Sequence, residues 1–239
     1  MKGFYLAFYH LLPSLISVWC QDVTDVRHLA KMDKFYYFSD MLFTEGNLYH
    51  IYNRGNNQQT IFFERDHYLL FLKNVQKFLR PHADILAWCL MPNHFHFLIH
   101  ANEHSCMTVK QNPIIINALT EGIRLTLSSY TKALQKQRGF TGSLFQQKTK
   151  CKCIDDGSIH YGSTTFHYIH QNAYRAGLCN KIEDWEFSSF PDYIGLRNGM
   201  LCNKILAFKL LDLDPERLYE EGYKVIPDSE LAHILKPGK

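Results

Sequence analysis

The chain has 239 residues, of which 46% are hydrophobic and 21% are charged, and its formal net charge at pH 7 is +3. This composition is typical of a folded globular protein and argues against an intrinsically disordered chain. The length allows one sizeable domain with appendages, and the mildly basic charge permits nucleic-acid binding without establishing it. Seven cysteines without a CxxC pair are typical of free thiols in a reducing compartment. We therefore expect a cytoplasmic protein with no membrane partner.

The N-terminal 40 residues allow two interpretations. Residues 3–20 are largely apolar, as in a signal or anchor segment, but the central Pro13 and several polar aromatic residues weaken this match. The alternative, which we favour, is that the natural protein starts at or near Met41, because organised patterning begins only at Leu48. The predicted division is an extension of doubtful status (1–40), a main domain (41–195) and a helical tail (196–239).

The first organised elements are a strand and a helix. Residues 48–53 show an alternating pattern of apolar and polar side chains, and the turn-forming residues 54–57 then break it. This pattern predicts a strand followed by a turn. An apolar stripe at helical spacing predicts a helix over residues 67–79, with Asp66 as its N-cap. Pro81 ends this helix.

A predicted hairpin carries the most informative pair of residues. Residues 85–90 are apolar, residues 94–101 alternate, and Met-Pro-Asn at 91–93 supplies a turn. Because strand side chains point to opposite faces in turn, His94 and His96 share one face while Phe95 and Phe97 share the other. Two imidazoles presented side by side by a strand suit a metal ion. Incidental histidines on a half-exposed strand are the alternative.

The elements after the hairpin complete the fold prediction. A loop over residues 103–113 leads to a long amphipathic helix over 114–137, with Gly139 just beyond its end. The next strand, residues 146–154, places Lys148, Lys150 and Lys152 on one face, either as a solvated surface or as a phosphate-binding row. The order strand, helix, two strands, helix, strand predicts an α+β fold: a ferredoxin-like split βαβ antiparallel sheet with helices on one face.

A further helix, residues 163–176, ends at Gly177 and follows the predicted sheet. One face of this C-terminal helix carries a phenol, two amides and a guanidinium at positions i, i+3, i+4 and i+7, contributed by Tyr168, Gln171, Asn172 and Arg175. Such a surface is common on helices and by itself indicates little about function.

In combination, these motifs resemble a known family. The stretch AWCLMPNHFH at residues 87–96 resembles the HUH signature of the single-tyrosine transposases, which include insertion-sequence enzymes and REP-associated tyrosine transposases. The stretch YIHQNAYRAG at 168–177 resembles their tyrosine helix, although Ala173 stands where many relatives have proline. Supporting matches at 49–55, 142–146 and 185–189 follow in the right order.

The resemblance implies a nuclease domain that cuts and rejoins single-stranded DNA beside hairpins, usually as a small oligomer such as a homodimer. It implies that Tyr168 is the nucleophile and forms a 5′-phosphotyrosine, with Tyr161 as a second candidate. It also implies that His94, His96 and Asn172 bind a divalent ion, and this ligand set favours Mg²⁺ or Mn²⁺. The expected DNA-binding residues are Arg54, Lys148, Lys150, Lys152 and Arg175.

Two other functions are open at this point. A domesticated protein of this type could bind hairpin DNA without cutting it, although binding alone would not need His94, His96, Tyr168 and Asn172 together. A small metalloprotein that acts on RNA has less support from the sequence.

Overall fold

The computed structural model describes residues 41–111, 114–154 and 159–235, so the predicted N-terminal extension lies outside the described residues. The helices and strands form a central sheet, a separate two-stranded sheet and the helices that accompany them. In chain order they are β1 (Leu48–Arg54), α1 (Arg65–Asn74), β2 (Asp84–Met91), β3 (His94–His100), α2 (Glu103–Cys106), β4 (Thr108–Gln111), β5 (Ile114–Asn117), α3 (Ala118–Arg138), β6 (Lys150–Cys153), α4 (Ile159–Arg175), α5 (Phe190–Tyr193), α6 (Lys204–Leu210), α7 (Leu218–Gly222) and α8 (Asp228–Leu235).

The central sheet has four strands in the order β2-β3-β1-β6. Every neighbouring pair in this sheet is antiparallel. This order and direction, with a helix between β1 and β2 and another between β3 and β6, are those of a ferredoxin-like split βαβ sheet. The predicted α+β fold class is therefore confirmed.

The aromatic core lies between the sheet and the helices α1 and α3. The Phe71 ring from α1 lies 5.3 Å from Phe95 of β3 and 5.2 Å from Tyr130 of α3, measured between ring centroids. Phe97 is also buried on this face. The two inter-strand helices thus cover one face, as predicted, and the burial of alternate β3 residues directs the histidines of β3 to the opposite face.

Helix α4 crosses that opposite face. Its predicted apolar stripe, Phe166, Ile169 and Ala173, is fully buried. The helix ends at Gly177, whose positive φ of 70° and the hydrogen bond from the Leu178 amide to the Ala173 carbonyl (3.0 Å) form the predicted glycine C-terminus. The helix starts four residues earlier than predicted and continues through Gly162.

The predicted start of the long helix at residue 114 is wrong. Residues Ile114–Asn117 form β5, which pairs with β4 in a separate two-stranded sheet, so part of the predicted loop is also a strand. Three consecutive β-branched isoleucines favour the strand. The helix then begins at Ala118, because the Asn117 side chain accepts a hydrogen bond from the Thr120 amide at 2.8 Å.

Two other boundaries also differ from the prediction. The first helix begins at Arg65, so Asp66 lies in its first turn and Glu64 is the N-cap. The last residues of the predicted helix, Val75–Leu79, form a π-helical turn that follows α1. The strand predicted over residues 146–154 is regular only over Lys150–Cys153, where it pairs residue by residue with β1. Outside that stretch, the Gln146 and Ile154 amides still donate to carbonyls of β1.

The outer edge of β2 is covered by the segment at 185–189. The Leu90 amide donates to the Phe187 carbonyl (2.8 Å), and the Ser189 amide donates to the Trp88 carbonyl (2.9 Å). The Ser189 hydroxyl also lies 2.7 Å from Nε2 of His170 on α4. This segment therefore closes an exposed strand edge and joins α4 to the sheet.

Within the three described ranges, none of the helices combines the length and the apolar character that crossing a bilayer requires.

A glycine at the α3 contact provides a test of this packing. A Cβ at Gly122 would lie 2.4 Å from the backbone carbonyl oxygen of Phe78 in the π-helical turn. We expect Gly122→Ala to lower the free energy of unfolding, because overpacking against backbone costs about 1–3 kcal/mol and the gain in helix propensity is about 1 kcal/mol. Urea denaturation measures the difference, with Ser129→Ala on the same helix as control. A variant as stable as the wild type would contradict this packing.

Candidate active site

The histidine pair lies on the sheet face that α4 crosses. In the strand register, His96 is opposite Tyr52 of β1 and Cys89 of β2, and His94 is opposite Arg54. The register between β1 and β6 extends the same face, because Tyr52 is opposite Lys150 and His50 is opposite Lys152. The predicted metal ligands and two of the three predicted lysines therefore share one face of one sheet.

Helix α4 brings Tyr168 onto the histidines. Its ring centroid lies 5.7 Å from that of His96 and 6.0 Å from that of His50, and both contacts are edge-to-face. These groups come from one chain. The structure thus brings the predicted nucleophile next to one of the predicted metal ligands, and it adds a third histidine that the sequence had not identified.

The Nδ1 atoms of both predicted ligands are hydrogen bonded. Nδ1 of His94 lies 2.6 Å from Oδ1 of Asn93, and an amide oxygen can only accept, so this nitrogen carries the proton. Nδ1 of His96 lies 2.9 Å from Nε2 of His50. Nε2 of the neutral His94 is therefore unprotonated and can bind a metal ion, as is usual when the other ring nitrogen is held by the protein.

The two amides of the predicted helix face have different surroundings. The Asn172 side chain lies close enough to the Tyr168 phenol to lower its pKa, and its amide nitrogen donates to the Ile169 carbonyl at 3.5 Å. Gln171 is buried and donates to the carbonyls of Gly222 and Lys224, both at 2.8 Å. Gln171 thus faces the segment at Gly222 and Lys224 and not the predicted functional face, because it lies about 100° around the helix from Asn172.

The donor set fits a metal site only in part. Across the described residues, no three His, Cys, Asp or Glu side chains converge as a complete metal site. The predicted ligands are two imidazoles and an amide, which leave coordination positions for substrate oxygens and water. The chemistry of the donors and their held Nδ1 atoms agree with a divalent ion at this point.

Burial controls the protonation of the site. It lowers the pKa of His94 to about 4, with a smaller contribution from Arg54. It also lowers the pKa of His96 well below its ordinary value. Both imidazoles are therefore neutral at pH 7, the state that binds a metal ion. Burial raises the pKa of Tyr168 to about 12, against the opposing effects of Arg175 and Asn172, so the phenol is protonated at neutral pH.

The predicted DNA-binding residues surround this site. Arg54 is opposite His94, and its buried Nε has no hydrogen-bond partner within the described part of the chain. Arg175 is exposed and close enough to Tyr168 to lower its pKa. Lys148 is exposed two residues before β6, and Lys150 and Lys152 are partly exposed on β6. Their roles stay predictions.

The C-terminal helix α8 covers part of the site. The Tyr52 hydroxyl donates to the Leu235 carbonyl at 3.0 Å. The Ile234 side chain is fully buried, and its backbone interacts with the His50 imidazole. The sheet face that carries the histidines is thus in contact with the end of the described chain.

His50 is the site residue that the sequence analysis missed. It is fully buried, and burial lowers its pKa to about 4. The alternation at residues 48–53 places it on the face of Tyr52, but the pairing of β1 with β3 could not be seen from spacing. The second candidate nucleophile, Tyr161, is partly buried against the core. His100, a further histidine on the face of His96, lies beside Asp84 (3.5 Å) at the far end of β3.

Comparisons with known proteins support the fold of the chain and do not establish its function. No protein-family description matches the chain, and no curated protein matches its sequence. A solved structure of a REP-associated tyrosine transposase bound to a REP hairpin is similar over 65% of this chain and 83% of the other, with a TM-score of 0.50 and 17% identity. A bacterial tRNA(His) guanylyltransferase-like protein in complex with ATP matches at a TM-score of 0.34 and 8% identity, over 62% of this chain and 68% of the other.

The buried histidines predict a pH-dependent stability. His50, His94 and His167 have folded-state pKa values of about 4, below the unfolded value of about 6.5. The unfolded state therefore binds more protons between these values. Stability that is present above pH 6.5 is lost as the pH falls toward 4, by up to about 1.4 kcal/mol per pH unit for each such histidine.

Denaturant unfolding at pH 5, 6 and 7, with a chelator present, measures this slope. His167→Gln should make it shallower, because it removes one buried histidine. The control Ser129→Ala changes a side chain that does not titrate and should leave the slope unchanged. A stability that does not vary over this pH range would contradict the burial of neutral imidazoles.

Proposed function

We propose that the protein is a metal-dependent single-stranded DNA endonuclease and strand transferase of the tyrosine transposase type, which acts beside DNA hairpins. The main support is the position of Tyr168, whose ring centroid lies 5.7 Å from that of His96 on the sheet face that α4 crosses. A phenol next to neutral imidazoles and an amide provides a nucleophile and metal ligands suited to phosphodiester transesterification.

The proposed reaction uses the Tyr168 phenol as the nucleophile. The Tyr168 hydroxyl oxygen attacks the phosphorus, forms an oxygen–phosphorus bond and displaces the 3′ oxygen, which leaves as a 3′-hydroxyl after it takes up a proton. The product is a 5′-phosphotyrosine. Attack by the 3′-hydroxyl of another strand reverses the exchange and joins the DNA without ATP, because one phosphodiester replaces another at each step.

The surroundings of Tyr168 must assist the loss of its proton. The phenol is protonated at neutral pH because burial raises its pKa to about 12. Asn172 and Arg175 both lower this pKa and so stabilise the developing phenolate. His94, His96 and Asn172 would hold Mg²⁺ or Mn²⁺, which when bound supplies a Lewis acid for the phosphate oxygens.

The proposed substrate is single-stranded DNA with a hairpin. Lys150 and Lys152 extend the face of the histidines across the sheet, where they would contact successive phosphates, and Lys148 would continue this row. Arg54, beside His94, and Arg175, beside Tyr168, would bind the phosphates nearest the reaction. The transposase of similar fold was solved with a REP hairpin. Tyr168 and the histidines meet within one chain, and a homodimer stays a prediction.

One observation favours a second candidate, a protein that binds hairpin DNA without cutting it. The α8 backbone accepts a hydrogen bond from Tyr52, next to His96 in the register. A site that α8 covers permanently would leave the DNA-binding cations usable and the phenol out of reach.

The nucleophile is tested with a labelled hairpin that carries randomised single-stranded flanks. In the presence of Mn²⁺, the wild-type protein should form a covalent adduct that survives a denaturing gel. Tyr168→Phe should reduce the adduct to background and leave hairpin affinity unchanged, because the substitution removes only the attacking oxygen. Tyr174→Phe is the matched control on the same helix, since its ring contacts Tyr223 at 5.8 Å and lies outside the site. Adduct formation by Tyr168→Phe at the wild-type level would exclude Tyr168.

The position of α8 gives a test between the two candidates. Ile234→Glu places a charge at a fully buried position and should release α8 from the site. The initial rate of adduct formation should then rise several-fold if the protein is an enzyme. Ile205→Glu, at a side chain that is 85% exposed, should leave the rate unchanged. A folded Ile234→Glu variant that binds hairpins but forms no adduct would favour the non-cutting protein.

A further inference from the structure

We propose that His50 is a positioning residue of the site, which accepts a hydrogen bond from Nδ1 of His96 and thereby keeps Nε2 of His96 deprotonated for the metal ion. This inference rests on the proposed function, because the metal ion is the one proposed there. The observation that supports it is the direct contact between the two rings across the β1–β3 pair.

The contact is short and enclosed. Nε2 of His50 lies 2.9 Å from Nδ1 of His96, and the ring centroids are 5.1 Å apart in a stacked arrangement. His50 is 0% and His96 4% exposed. Water therefore has little access to either ring. The two nitrogens that face each other must form a hydrogen bond with one another, because water is largely excluded as their partner.

Two neutral imidazoles that face each other through nitrogen share one proton. If the proton is on Nδ1 of His96, His50 accepts the bond and Nε2 of His96 keeps its lone pair for a metal ion. If the proton is on Nε2 of His50, Nε2 of His96 must carry the other proton and cannot bind a metal. The partner that accepts at Nδ1 therefore decides whether His96 can act as a ligand.

His94 has the same arrangement with a different partner. Its Nδ1 faces Oδ1 of Asn93 at 2.6 Å, an oxygen that can only accept a hydrogen bond. Both histidines of the pair thus have a hydrogen-bonding group facing Nδ1, one from the turn before β3 and one from β1. This parallel assigns His50 the role for His96 that Asn93 has for His94.

The surroundings of His50 hold its ring in place. Tyr52 lies 4.7 Å away and Tyr168 6.0 Å away, both measured between centroids. His50 therefore contacts both the ligand and the proposed nucleophile. Loss of such an outer partner typically weakens metal binding by about 10- to 100-fold.

The first test reads the tautomer directly in the unmodified protein. Nitrogen-15 NMR of the metal-free, full-length chain distinguishes a protonated from an unprotonated ring nitrogen for each histidine. The expected result is a proton on Nδ1 of His96 and an unprotonated Nε2 on His50. A proton on Nε2 of His96 would overturn the proposal, and this measurement does not depend on the folding of any variant.

The second test measures binding of Mn²⁺ alone by electron paramagnetic resonance, without DNA. His50→Leu should weaken binding by about 10- to 100-fold. His50→Gln should bind nearly as the wild type does, because its amide oxygen reaches the position of the imidazole Nε2 and can accept the same bond. His67→Leu is the control, since His67 is also buried and hydrogen bonded (3.0 Å to Gln137) but lies on α1, across the sheet.

The outcomes separate this inference from the proposed function. If His50→Leu binds Mn²⁺ as tightly as the wild type, the positioning role is wrong while the nuclease proposal stands. Equal losses in His50→Leu and His67→Leu would indicate general destabilisation and would also overturn the role. A wild-type protein that binds no Mn²⁺ would overturn both proposals.

Discussion

The candidate site depends on the register between β1 and β3. Tyr52 is opposite His96, and Arg54 is opposite His94, so the functional side chains of both strands point to the same face. A shift by one residue would turn His96 into the core. The buried Phe95 and Phe97, which pack against Phe71 on the other face, make such a shift costly. Aromatic packing on one side of the sheet therefore sets the chemistry on the other.

Burial has opposite consequences for the histidines of the site and for its tyrosine. It keeps His94 and His96 neutral, which a metal ligand requires, but it also raises the pKa of the Tyr168 phenol to about 12. The positive charge of Arg175 and the amide of Asn172 work against this second effect. A phenol in a site that excludes water needs a nearby cation and hydrogen-bond donor to ionise more readily, and Arg175 and Asn172 lie beside Tyr168 in these roles.

Three segments outside the central sheet hold or cover the site. The segment at 185–189 covers the edge of β2 and joins α4 to the sheet through Ser189 and His170. Helix α4 covers the histidine face with Tyr168, and α8 reaches the same face through Tyr52 and Leu235. The position of the phenol is therefore set by contacts far from the histidines in sequence, and access to it depends on the last described helix.

Local patterns in the sequence determined much of this protein. The alternation around His94 and His96, the apolar stripe of α4 and the glycine after it predicted the hairpin, the tyrosine helix and the fold class, because burial periodicity and turn chemistry act over a few residues. The tertiary structure alone decided the contact of Tyr168 with the histidines, the start of α3 at Ala118, and the buried place of Gln171. It also decided the contact of His50 with His96, which depends on strand pairing across 46 residues. Such pairing is a long-range property that spacing along the chain does not encode.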